Sequence, residues 1–203
     1  MNEGFRELKW TCPGCYVVLN NLIYNTEKGI IKMENNILLI GFMGAGKTTV
    51  SRELTKLTGM EEIDMDAYIV EKEGMSINDM FAQHGEEYFR KKETECLIEI
   101  MQSKNRIVSC GGGVVVKDEN VEHMKAGGTI VLLTATPETT LERVKNSTDR
   151  PILNGNMNVE FITELMNKRK DRYLAVADVI VATDNKSVSE ICAEIMDKIS
   201  KNS

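Results

Sequence analysis

The sequence predicts an α/β domain built on a five-stranded parallel sheet with helices on both faces. Three observations carry this. From Ile37 onward, apolar runs of strand length alternate with segments of helical periodicity, the pattern of parallel strands joined by crossover helices. A glycine-rich junction, Gly41 to Thr48, stands between the first apolar run and the first helical segment. The length of 203 residues suffices for one well-buried domain with short insertions and is too small for two ordinary domains with a linker.

The elements follow in order. Ile37 to Ile40 reads as a strand, and Lys47 to Leu57 as a helix with Val50, Leu54 and Leu57 on one face. A short strand ending at Ile63 completes a βαβ unit. Ser76-Ile77-Asn78-Asp79 opens a helix as a capping box, Gly85 interrupts it, and a longer helix runs from about Glu86 to Gln102. Ile107 to Cys110 is the third strand, stopped by Gly111-Gly112-Gly113, and a helix follows Asp118. Thr129 to Leu133 is the fourth strand, and Thr136-Pro137 is an N-cap and N1 pair opening the next helix. Asn146 to Asn156 has the Gly/Asn-rich polar composition of a mobile loop. Phe161, Ile162, Leu165 and Met166 mark another helix, Asp178 to Ala182 the fifth strand, and Ser187-x-x-Glu190 caps a last helix aligned by Ile191, Ile195 and Ile199.

Composition narrows the function classes. A formal charge of −6 disfavours a broad nucleic-acid surface, which needs clustered Lys and Arg. The apolar runs fall far short of the roughly 20 residues that cross a bilayer. The N-terminus, with Glu3, Glu7 and Trp10, lacks the basic start and apolar core of a secretory signal, so the cytoplasm is the expected location. Five cysteines is an odd number; Cys96, Cys110 and Cys192 lie in apolar or periodic segments and read as reduced, buried thiols. Cys12-Pro-Gly-Cys15 has half-site spacing with no second pair, and reads as incidental. Residues 1–33 show no sustained period and form an extension of unknown role, either disordered or lying upstream of a start at Met33, while residues 34–203 form the domain.

The Gly41-Phe-Met-Gly-Ala-Gly46-Lys47-Thr48 junction fits G-x-x-x-x-G-K-[ST] in the strand-to-helix context that pattern requires. Its glycines turn backbone N–H groups inward around phosphates, and the helix N-terminus favours their negative charge. Gly44, Ala45, Gly46, Lys47, Thr48 and Thr49 are thus the expected ATP-binding residues. Lys47 bridges the β- and γ-phosphates in this reading, and Thr48 offers its hydroxyl to Mg²⁺. Asp64 and Asp66 close the second strand, where open parallel sheets place ligand groups, and at i and i+2 of an extended segment they point the same way. One then attends the metal and the other an acceptor hydroxyl, with capping of a following helix as the plainer alternative.

The series GFMGAGKTT, Asp64-x-Asp66, Phe89-Arg90, Gly111-Gly112-Gly113 and Arg150-Pro-Ile-Leu153 resembles the shikimate kinases in order and spacing, from about Asn36 to the C-terminus. The resemblance implies a P-loop fold of the nucleoside-monophosphate-kinase kind, a three-layer sandwich with an acceptor-binding insertion near 65–95 and a lid near 145–157. It implies γ-phosphoryl transfer from ATP to the 3-hydroxyl of shikimate, with Mg²⁺, in a monomer that binds neither nucleic acid nor membrane. Residue by residue it makes Lys47, Asp66 and Arg150 catalytic, with Asp66 the base holding acceptor hydroxyls and Arg150 a lid arginine closing over phosphates. It assigns Arg143 to adenine, Thr48 and Asp64 to the metal, and Arg90, Gly112, Gly113 and Arg169 to the acceptor, with the glycines placed where a side chain would collide. Arg172 stands where the family often has proline before Tyr173, which leaves Arg169 and Arg172 both open as the second carboxylate ligand. Two rivals remain: a gluconate-type or nucleotide kinase of the same architecture, and a regulator whose P-loop only senses ATP.

Overall fold

Adjacent residues of the central strand serve two different cores. In a computed structural model of the chain, β5 (Asn36–Ile40) is buried along its whole length. Leu38 and Ile40 join one apolar cluster, Ile37 and Leu39 another on the opposite face of the sheet, as the two-residue period of a strand requires. The structure describes residues 35–145 and 158–202, together with the backbone of four short strands upstream.

The strands β6 (Glu61–Asp64), β7 (Arg106–Ser109), β8 (Gly128–Thr134) and β9 (Val179–Ala182) complete a five-stranded sheet in the order β6-β7-β5-β8-β9, with every pairing parallel. Helices α1 (Lys47–Thr58) and α7 (Val188–Asn202) cover one face. The other is covered by α2 (Met65–Glu73), α3 (Ile77–Met101), α4 (Asp118–Gly127) and α6 (Val159–Val176). α5 (Pro137–Val144) lies between β8 and the stretch that precedes α6. This is the expected three-layer α/β sandwich. Strand order reverses at β5, so the crevice for ligands opens at the C-terminal ends of β5 and its neighbours.

Local signals act where the sequence places them. Ser76 accepts from Asp79 N at 3.1 Å, Thr136 from Thr139 N at 3.2 Å, and Ser187 and Glu190 form a reciprocal capping box. Gly85, at φ 82° and ψ 175°, breaks the helical course inside α3 at the expected interruption.

One helix face differs from expectation. Leu57 is 47% exposed, whereas Thr58 is buried beside Val50, Ser51 and Leu54, its hydroxyl returning to Leu54 O at 2.7 Å. At 3.6 residues per turn the buried stripe reaches position 58 as readily as 57, and the internal hydrogen bond removes the cost of burying the threonine.

Upstream, β1 (Lys9–Trp10), β2 (Tyr16–Leu19), β3 (Leu22–Asn25) and β4 (Ile30–Met33) pair successively as an antiparallel meander. Strands of four residues or fewer carry too little alternation to register as a period in the sequence. Cys12 and Cys15 lie outside the described residues, whereas Cys96, Cys110 and Cys192 are buried free thiols. Among the described residues no helix is long and apolar enough to cross a membrane.

Candidate active site

Two groups of side chains meet at the C-terminal ends of β5, β6 and β7. On the nucleotide side, Gly46 adopts φ 92° as the N-cap of α1, a left-handed conformation that only glycine takes without strain. Lys47 Nζ donates to Gly41 O at 3.0 Å and Phe42 O at 3.2 Å, which draws the ammonium across the loop. All six residues from Gly44 to Thr49 line a cavity of ≈ 430 Å³, and Arg143 joins them. The Arg143 guanidinium donates to Gly44 O (3.1 Å), Thr183 Oγ1 (2.9 Å) and Thr183 O (3.2 Å), tying the P-loop to the segment after β9. Thr183, Lys186 and Val188 line the same cavity. No motif marks them. Their position just beyond the C-terminal end of β9 is the one signal that could have found them.

Thr48 Oγ1 donates to Asp64 Oδ2 at 3.2 Å and lies 3.5 Å from Ser109 Oγ. The other Asp64 oxygen caps α2 by accepting from Ala67 N at 3.2 Å. The expected extended Asp64-x-Asp66 pair does not form. Asp66 belongs to the first turn of α2, because the Asp64 cap starts the helix at Met65. Asp66 nevertheless reaches the glycine loop: its Oδ1 stands 2.8 Å from the position of a Cβ at Gly111.

On the acceptor side, Arg90 projects from α3 and donates to Glu93 Oε2 at 2.8 Å and to Glu86 Oε1 at 3.1–3.2 Å. Its guanidinium crowds Gly113 so closely that a Cβ there would collide with it. At Gly112 a Cβ would make only ordinary contact within the chain, 3.6 Å from Arg169 Nη1 and Tyr173 Oη. The peptide faces α6 there, not α3. Arg169 Nη1 donates to Gly112 O at 3.1 Å, whereas Arg172 turns to Val115 O and Asp118. Of the two arginines, Arg169 thus stands at the glycine loop and Arg172 anchors beyond it. Arg150 and the lid residues 146–157 lie outside the described residues.

Glu93 was not foreseen. Its side chain is 1% exposed, and Oε1 has no hydrogen-bond partner among the described residues while standing 3.1 Å from a Cβ position at Gly111. Burial lifts its carboxyl above the usual range, with Arg90 pulling against the shift and Asp66 adding to it. Burial works against the Arg90 cation too, but Glu93 and Glu86 outweigh it and hold the guanidinium firmly protonated. Cys110 is enclosed beside this cluster, and burial pushes its thiol far above its ordinary pKa. A thiolate nucleophile is therefore unavailable there.

The family described as shikimate kinase matches residues 43–200. A shikimate kinase of Dehalococcoides mccartyi is 40% identical over 171 residues, spanning 84% of this chain and 97% of its own. Another, from Geobacter metallireducens, is 42% identical over 160 residues, 79% of this chain and 89% of its own. The solved structure of the shikimate kinase of Acinetobacter baumannii in complex with shikimate superposes with TM-score 0.79 at 33% identity, over 84% of this chain and 96% of that one.

The chain belongs to the shikimate kinase family. The family accounts for the ATP-type P-loop and makes the chain a phosphotransferase. The family match begins at Met43 and leaves the β1–β4 meander outside it. Within the shikimate kinase domain, the glycine loop after β7 is the common wall. It touches Asp66 and Glu93 through Gly111, Arg169 and Tyr173 through Gly112, and Arg90 through Gly113. Three consecutive residues without side chains therefore bring five chain-distant groups to one surface.

Proposed function

We propose that the chain transfers the γ-phosphoryl group of ATP to the 3-hydroxyl of shikimate, giving 3-phosphoshikimate and ADP. The observation that carries this is the convergence of Arg90, Arg169 and Asp66 on the Gly111–Gly113 loop, beside Thr48 and Asp64 of the nucleotide side. A small hydroxylated carboxylate needs this combination: planar cations for its carboxylate and an anion for its hydroxyls. Gluconate lacks the rigid ring that would span both groups at once, and a nucleotide acceptor has no carboxylate for the clamp.

Arg90 and Arg169 bind the acceptor carboxylate in this reading, and the N–H groups of Gly112 and Gly113 close on the ring. Asp66 accepts the proton of the 3-hydroxyl as its oxygen bonds to the γ-phosphorus and the bridging bond to ADP breaks. Lys47 neutralises charge on the transferring group, and Arg150 joins it from the lid. Arg143 packs against the adenine.

Thr48 and Asp64 fit Mg²⁺: a hydroxyl and a carboxylate 3.2 Å apart, with Ser109 Oγ alongside, supply a sparse oxygen set. A phosphate-bound Mg²⁺ requires no more of the protein than that, and no cluster of three or more His, Cys, Asp or Glu stands among the described residues. The ion, when bound, supplies charge neutralisation at the β- and γ-phosphates. In this reading the chain acts as a monomer in the cytoplasm.

The test is ADP production by the full-length chain with Mg²⁺-ATP and shikimate, gluconate, nucleoside monophosphates or no acceptor. ADP release that depends on shikimate supports the proposal. Release with another acceptor alone overturns the substrate, and acceptor-independent silence across the panel favours a regulator that only senses ATP.

A further inference from the structure

We infer that Tyr173 is a positioning residue for the acceptor, acting through the carbonyl of Gly112. This rests on the acceptor reading of the glycine loop given above. The Gly111–Gly113 segment has no side chain through which its peptide planes could be held, and glycine pairs reorient at little steric cost. Local backbone bonds hold the flanking peptides, Val114 N donating to Gly111 O at 3.2 Å and Val116 N to Gly113 O at 3.0 Å, whereas the Gly112 carbonyl is held from outside the loop. Helix α6 provides this hold with three residues at i, i+3 and i+4, a spacing that puts them on one helix face. Arg169 donates to Gly112 O at 3.1 Å, Tyr173 Oη to the same oxygen at 2.5 Å, and Arg172 Nε to Val115 O at 2.6 Å.

A carbonyl oxygen has two lone pairs, and at Gly112 both are occupied. The peptide between Gly112 and Gly113 is trans, so fixing its C=O toward α6 turns the Gly113 N–H the opposite way. The same hydroxyl stands in contact range of Arg169 through their shared acceptor, which restrains the guanidinium that faces the acceptor carboxylate. Tyr173 itself cannot wander: it is 5% exposed, its ring packed in the core on the α3–α4 face of the sheet. Burial raises the phenol above its ordinary pKa, with the neighbouring Arg169 opposing, so it remains a hydrogen-bond donor. The ring alone would satisfy the core; the hydroxyl serves Gly112 and the neighbouring Arg169.

The test is Tyr173→Phe, which keeps the ring and deletes the donor, measured beside wild type for both substrates and for thermal midpoint. Loss of one hydrogen bond of about 1–1.5 kcal/mol predicts an acceptor KM raised about 5- to 10-fold. The ATP KM should stay within about twofold, because the P-loop packs against α6 through Phe42 and Ile162, three turns before Tyr173. The acceptor effect should shrink in an Arg169→Ala background, since the two side chains share one acceptor atom. An unchanged acceptor KM in an otherwise active enzyme overturns the inference and leaves the acceptor reading standing. So does a rise in both KM values accompanied by a fall in thermal midpoint, which marks a purely structural hydroxyl. A wild-type chain that binds ATP but does not phosphorylate shikimate removes the acceptor reading itself, and this inference with it.

Discussion

Replacing Gly113 by Ala separates the work of the glycine loop from its stability. The new Cβ would occupy the space of the Arg90 guanidinium. Because that guanidinium is the far end of a flexible side chain, the backbone need not move; Arg90 swings instead. Its pairing with Glu93, whose side chain is 1% exposed, is then distorted, although Glu86 stays within reach. Stripping a buried pair of one partner costs about 3–5 kcal/mol, and partial loss should cost about 1–2 kcal/mol. For a domain of this size that lowers the thermal midpoint by roughly 2–8 °C. The acceptor should suffer more. A misdirected Arg90 forfeits a charge-assisted contact of about 1.5–3 kcal/mol, or about 10- to 150-fold in kcat/KM for shikimate. The ATP KM should not move. Gly112→Ala is the control, because a Cβ there makes only ordinary contact at 3.6 Å and leaves Arg90 in place, so its thermal midpoint should match wild type. Steady-state kinetics with each substrate varied, beside thermal melts, decide the matter. Wild-type acceptor kinetics in Gly113→Ala would refute the idea that this close approach aims Arg90.

Further expectations concern charge, the nucleotide side and the core. Since burial raises the Glu93 pKa in the fold, protonation of Glu93 favours the folded state; the resulting stability is full below the ordinary carboxylate pKa of about 4.3 and is lost as pH rises through the raised value. Thermal melts against pH should therefore show wild type losing ground to Glu93→Gln across that window, and a flat difference would count against the assignment. Arg143→Ala removes a guanidinium that bonds Gly44 O and Thr183, so the ATP KM should rise about 5- to 10-fold with the acceptor KM unchanged. In α1, denaturant unfolding should find Leu54→Ala destabilised by about 2–5 kcal/mol and Leu57→Ala within about 0.5 kcal/mol, since only the first is buried.

The amino-acid sequence by itself determined the αβ alternation, the five strands and the P-loop junction, because these depend on signals within a few residues of each other. Apolar runs, caps such as Ser76 and Thr136, and the spacing from Gly41 to Thr48 all act locally. The motif series also carried the family and most of the candidate site. Tertiary structure decided what depends on contacts between distant segments. It set Arg169, not Arg172, at Gly112, a choice that turns on where α6 meets the glycine loop, 57 residues away in sequence. It moved Asp66 from a strand into a helical turn, since the cap formed by Asp64 ends the extended course. It brought in Thr183 and Lys186, which only the parallel order β5-β8-β9 carries to the P-loop. And it singled out Glu93, an ordinary charged residue in a polar helix by composition, whose chemistry arises from the burial imposed by Arg90 and the glycine loop packed over it.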